Sequence, residues 1–378
     1  MSKSNRLRAP GIIVCALVLG VAALAQDTPA PILNHTFEQN DGGWQGVSMA
    51  GGKVSVNLTH DANGVKSGKG ALKFDYELKK GDFSLLLLPT PDMVLGKAKS
   101  IKFWIKADHS TPIGIALQEK DGGRYSTVFT VQKDTWQQVE VSPSDFALDT
   151  SKDAPKDPDG KLDMDAVENA GLIDMAQIFI QGDDAFANVL GISAGPRTFY
   201  LDDFTVNTTA LVSSATLKNG EGLLDTFARP QVSWIAFGEV QLSHATGKPL
   251  EGIGLQAKYH QAPAKVCGFS KFIAPGAMAG ATKLMLSAAS LKPAKIIVQL
   301  EERGGGKYNT IVELPGNSGR ADLALNLADF KASQDSKDDN NRLDLDQVTQ
   351  IIFIDGTGLL DNTDADNTLW VNGIKAAK

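Results

Sequence analysis

Residues 156–167 read KDPDGKLDMDAV, which crowds Asp157, Asp159, Asp163 and Asp165 around Gly160. Closely spaced carboxylates can ligate a hard cation or work as a proton-transferring pair. With Gly160 at the sixth position of a calcium loop, Asp157, Asp159 and Asp163 take the third, fifth and ninth. The first and twelfth positions fall on Pro155 and Ala166, and the twelfth should be a bidentate Glu. The stretch reads better as an Asp/Gly turn anchored by Leu162, with Asp163 or Asp165 capping a short helical turn. A glycoside hydrolase would need two carboxyls about 5–9.5 Å apart in a cleft, one with a raised pKa. Glu119 and Glu302 stand at matching strand ends before Gly-rich turns and read as solvated termini. His35, His60, His109, His244 and His260 lack metal-ligand spacing, and no Ser nucleophile elbow occurs. Gly304–Gly306 precedes no helix, so it is a hairpin turn and not a phosphate loop. No catalytic constellation emerges.

Saccharide binding asks for aromatic faces beside polar groups. Tyr125 and Tyr308 follow the two hairpin turns, with Arg124 and Lys307 next to them; these four are the candidate ligand-facing residues, and the competing reading has each Tyr packed over its hairpin. Trp44, Trp104, Trp136, Trp234 and Trp370 occupy strand-like or motif positions and read as core. Trp104 and Trp136 meet Ser287 and Arg320 in the second half of the chain, so that half has drifted. Cys267 has no evident partner and is expected to be buried.

These residues must be positioned by strands. Ser100–Lys106 alternates, placing Ile101, Phe103 and Ile105 on one face. Ile113, Ile115 and Leu117 repeat the pattern before the Asp121-Gly122-Gly123 turn, and Tyr125–Val131 returns as the hairpin partner. Val139 and Val141 point inward from Gln137–Val141. The pattern then recurs. ALQEKDGGRYSTVFT (116–130) aligns without a gap on QLEERGGGKYNTIVE (299–313), and KLDMDAV on RLDLDQV. Phe37 with Trp44 matches Phe227 with Trp234, and TFYLDDF (198–204) matches TLWVNGI (368–374). The fold class is all-β: two tandem β-sandwich, jelly-roll domains. The expected boundaries are 27–206 for the first domain, 207–222 for a Thr/Ser/Asn/Gly linker and 223–378 for the second, diverged domain.

A basic start (Lys3, Arg6, Arg8), an apolar run over 11–24 and Ala23-Leu24-Ala25 read as a signal peptide over 1–25. Without those three cations the formal charge moves from −7 to about −10. A net acidic chain is a poor ligand for nucleic acid or anionic lipid. No other segment is apolar enough to span a membrane.

In order along the chain, Phe37-Glu38, Gly43-Trp44, Ser67–Leu72, Phe103–Ile105, Ser144–Phe146 and Phe199–Phe204 resemble the galactose-binding-like jelly roll. The pattern is most similar to family 11 carbohydrate-binding modules and to the complex I intermediate-associated protein family. That resemblance implies a β-sandwich, often with one structural calcium where the first and last strands meet. Here its side-chain ligands would be Glu38 with Asp202 or Asp203; the second half has Ala228 and Asn372-Gly373 instead. The function implied is non-catalytic recognition of an extracellular or periplasmic glycan by an exported protein. The alternatives are an envelope structural or assembly role with a protein partner and, last, a glycoside hydrolase.

Overall fold

The computed structural model describes residues 30–91, 93–149, 156–182, 187, 191–263 and 265–378. The expected signal peptide and Pro155 lie outside them.

Two β-sandwiches follow one another, each built from two six-stranded antiparallel sheets. In the first sandwich the front sheet runs β3 (Ser55–Thr59), β4 (Ala71–Leu78), β12 (Gly195–Asn207), β6 (Ser100–Ala107) and β9 (Gln137–Val141), with β1 (Leu33–His35) also on β12. The back sheet runs β10 (Ala147–Leu148), β8 (Arg124–Val131), β7 (Thr111–Glu119), β11 (Val167–Asp174), β5 (Ser84–Pro89) and β2 (Gln45–Ser48). The second sandwich repeats this order. Its front sheet is β15 (Gln241–Thr246), β16 (Ile253–Gln261), β24 (Ala365–Ala377), β18 (Lys283–Ser290) and β21 (Ala321–Asn326), with β13 (Gly222–Leu223) on β24. Its back sheet is β14 (Ile235–Phe237), β17 (Cys267–Phe272), β23 (Val348–Asp355), β19 (Ala294–Glu302), β20 (Lys307–Leu314) and β22 (Lys331–Ala332). The internal repeat is thus a repeat of topology.

Alternation explains the cores. Ile101, Phe103 and Ile105 pack with Phe74, Phe199, Leu201 and Phe204 between the first pair of sheets. Leu284, Leu286, Phe269, Phe353 and Leu369 do so in the second. Trp44 and Trp234 are buried as expected, and so is Cys267. Burial pushes the Cys267 thiol up to about 11, where it is a poor nucleophile.

The segment expected as a linker leads into a docked junction. Val232 O accepts from Thr130 N (3.0 Å), and Trp234 O from the Thr130 hydroxyl (2.6 Å). The Gln231 amide pairs with the backbone of Glu140 on edge strand β9, accepting from its N–H (3.0 Å) and donating to its carbonyl (2.8 Å). Arg229 donates to Asp145 Oδ2 (2.8 Å), to Ser142 Oγ (2.9 Å) and to Val212 O (2.6 Å). Both members of the Arg229–Asp145 pair are buried. The sandwiches therefore meet through satisfied polar groups, which fixes their mutual orientation.

Candidate functional site

Strands β12, β6 and β9 are neighbours, so their outward residues form one surface. Inward Ile105 and Phe103 force Trp104 outward, between Lys102 and Lys106. On β12, Tyr200 points out between buried Phe199 and Leu201. Tyr200 lies directly across from Lys73 on one side and Lys106 on the other. Trp136 immediately precedes β9. Its ring centre is 6.4 Å from that of Tyr200, with planes inclined at 56°. All three aromatics are only half-buried, and they form the aromatic platform of the outer face.

Cations and acceptors interleave with the rings. The Lys106 ammonium stands 5.2 Å from the Tyr200 ring centre and 5.8 Å from that of Trp136, and it donates to Asn63 O. Lys66 lies 4.1 Å over Trp104. Lys73 pairs with Asp75 at 2.9 Å, and Lys102 with Glu140 at 2.9 Å. The bond to Asp75 holds the Lys73 ammonium above its ordinary range. Burial pushes the Tyr200 phenol up, so it stays a neutral donor. The 62–64 turn closes one rim, and a Cβ on Gly64 would come 2.9 Å from the Tyr200 ring. Half-exposed rings offer apolar faces, while the ammonium and carboxylate groups around them serve hydroxyls.

Of the four residues expected to face a ligand, the two tyrosines are buried, while Arg124 is exposed and Lys307 partly so. Tyr125 and Tyr308 are each 3% exposed. Their hydroxyls donate to Asp157 and Asp338, and burial drives both phenols far above their ordinary range. Across the hairpins they face Leu117 and Leu300, whose inward side they share. Arg124 stands 3.6 Å from Asp149, and Lys307 is held by Asp335 at 2.5 Å.

The KDPDG stretch is the turn that receives Tyr125. Asp157 Oδ1 accepts from Asp159 N and Gly160 N, while Leu162 packs on the core. The tyrosine hydrogen bond holds the Asp157 carboxyl below its ordinary range. Glu119 and Glu302 are not solvated termini: they are 2% and 8% exposed and accept from the backbone N–H of Asp163 and Asp344. Burial pushes both carboxyls up. Oxygens of Glu119, Asp121 and Asp157 do lie within 4.8 Å of one another. The second domain keeps the Tyr–Asp and Glu–backbone bonds with Gly304 in the place of Asp121, so those bonds hold the turn without the third carboxylate.

Glu38, Asp202 and Asp203, the expected calcium ligands, meet at the loop 66–69. Asp202 Oδ2 accepts from Lys66 N (2.9 Å) and Ser67 N (3.0 Å), and its Oδ1 from Asp203 N (2.8 Å). Glu38 accepts from Lys69 N, and Asp203 from the Ser67 hydroxyl. Gly68 has φ +61°, and a Cβ there would sit 1.8 Å from Glu38 Oε1, so only glycine allows this approach. Calcium needs six to eight oxygens turned toward it. Here the three carboxylates accept from N–H and O–H donors of the loop and so clasp it.

The platform was not legible from residue type, which places Trp104 and Trp136 in the core; Trp370 of the second domain, also read as core, is likewise half-buried. Period-two parity held the signal, since inward Ile101, Phe103 and Ile105 leave Trp104 no other face.

Neither a protein-family model nor a curated protein matches the chain. Among solved structures, it is similar to the family 11 carbohydrate-binding module of the Clostridium thermocellum cellulosomal cellulase Lic26A-Cel5E. There the identity is 17%, the match covers 48% of this chain and 96% of the module, and the TM-score is 0.37. The CBM22-1–CBM22-2 tandem of Paenibacillus barcinonensis Xyn10C is 12% identical, covering 94% of this chain and 99% of the tandem, with a TM-score of 0.28. TmCBM61, solved with β-1,4-galactotriose, is 10% identical, covering 47% of this chain and 98% of that one, with a TM-score of 0.27.

Proposed function

We propose that the chain is a non-catalytic, exported glycan-binding protein and that the first domain's aromatic platform is the contact surface. One observation carries the reading: Trp104 and Tyr200 on adjacent strands and Trp136 just before the next one stand half-exposed, interleaved with Lys66, Lys73, Lys102 and Lys106 and with the carboxylates of Asp75 and Glu140. Pyranose rings offer C–H faces to aromatics and hydroxyls to the polar groups between them. The inclination of Tyr200 to Trp136, 56°, suits a single twisted chain and opposes docking on a flat crystalline surface. Asp75 and Glu140 on this face are paired with lysines, which favours binding over acid–base chemistry by these two groups.

Affinity electrophoresis through gels containing soluble mixed-linkage β-1,3-1,4-glucan, xylan or β-1,4-galactan tests the reading. At least one should retard the wild-type chain, and W104A/W136A/Y200A should lose most of that retardation. No retardation in any gel, or equal retardation of the variant, overturns it.

A further inference from the structure

Position 200 has a counterpart. In the second sandwich Trp370 lies on β24 between buried Leu369 and Val371, as Tyr200 lies between Phe199 and Leu201. It faces outward and is half-buried. Its cross-strand partners are Gln256 on β16 and Ala289 on β18, where Tyr200 has Lys73 and Lys106. The small Ala289 replaces the lysine that covers the ring in the first domain.

Arg320 occupies the place of Trp136. Its guanidinium is pinned to the outer face by Asp322 Oδ1 (2.9 Å) and Ser287 Oγ (3.3 Å), with Glu251 at 3.5 Å. Ser287 and Asp322 are themselves partners across β18 and β21. A flat aromatic and an oriented guanidinium thus share one polar sheet face. The first offers a stacking surface; the second offers several donors in one plane, which matches vicinal hydroxyls. Gln256 adds an amide on the other side of the ring. Rigid docking through Arg229, Gln231 and Thr130 holds this face at a set position relative to the platform.

We infer that the outer face of the second domain, centred on Trp370 and Arg320, is a second contact site for the same class of glycan. The inference rests on the reading given under Proposed function. With one aromatic instead of three, this face binds more weakly and acts mainly by avidity on long chains.

The test uses the full chain in gels of the same three polysaccharides, comparing wild type, W370A, R320A, W104A/W136A/Y200A and the combination of the last with W370A. Near-UV circular dichroism checks the fold of each variant. Expected are a loss of roughly fivefold in apparent affinity for W370A, a smaller loss for R320A, and residual retardation of the first-face variant that W370A removes. If W370A and R320A match wild type while the first-face variant is not retarded, the second site is refuted and the first stands. If no gel retards the wild type, both fall.

Discussion

Replacing Arg229 with alanine should weaken the junction between the sandwiches more than any surface change. The Arg229 and Asp145 side chains are only 4% and 8% exposed. The guanidinium satisfies Asp145, Ser142 Oγ and Val212 O together. Removing one member of a buried ion pair costs about 3–5 kcal/mol, mostly from the charge left behind. Asp145 keeps donors in Ser142 N, Ser142 Oγ and Ser214 Oγ, so the lower end, about 3 kcal/mol, applies. At about 2–4 °C per kcal/mol for a domain of this size, the melting temperature should fall by about 6–12 °C. Calorimetry and urea unfolding of R229A at neutral pH measure both quantities. D145N and the double variant complete a cycle, whose coupling should exceed about 1.5 kcal/mol. R229L/D145L should recover much of the loss, because both buried charges are gone. A loss below about 0.5 kcal/mol, the scale of an exposed pair, would refute the reasoning.

Four further outcomes are expected. Trp104→Ala with Trp136→Ala should cost under about 1 kcal/mol, because both rings are half-exposed; a melting shift as large as that of a core variant would place them in the core after all. Glu119 and Glu302 have carboxyls raised above their ordinary 4.5 by burial, so the folded state holds protons more tightly than the unfolded state. Both groups should therefore add stability as pH falls toward 4.5, and E119Q/E302Q should gain less on acidification than the wild type; a stability difference between the two that does not vary with pH would count against it. Below the ordinary 3.8 of Asp157 and Asp338, whose carboxyls are lowered by their tyrosine partners, stability should fall again. Because donors face Glu38 and Asp202, millimolar calcium or chelator should leave the melting temperature unchanged, whereas a rise of several degrees with calcium would show those oxygens turned to an ion.

What was legible in the sequence was local. Alternation over Ser100–Lys106 picked out inward Ile101, Phe103 and Ile105, and the repeat of hairpin, turn and terminal strand foretold two sandwiches of one topology. The same alternation held more than was taken from it. Trp104 is outward by parity, and Tyr125 is inward because it shares a face with Leu117 across the hairpin. Residue type alone sends Trp104 to the core, and for Tyr125 it leaves a ligand-facing and a hairpin-packed reading side by side; parity decides both. Parity is a property of one strand, so a single segment carries it.

Tertiary structure decided which segments meet. The order β12, β6, β9 gathers Tyr200, Trp104 and Trp136 from distant parts of the chain, and strand order is set by what two sheets can bury between them. The buried Arg229–Asp145 pair spans 84 residues and joins a bend to the short 3-10 turn Pro143–Asp145, where no periodicity marks either partner. Such a pair forms only because docking two finished surfaces removes both charges from water at one place, and that is a property of the assembled fold.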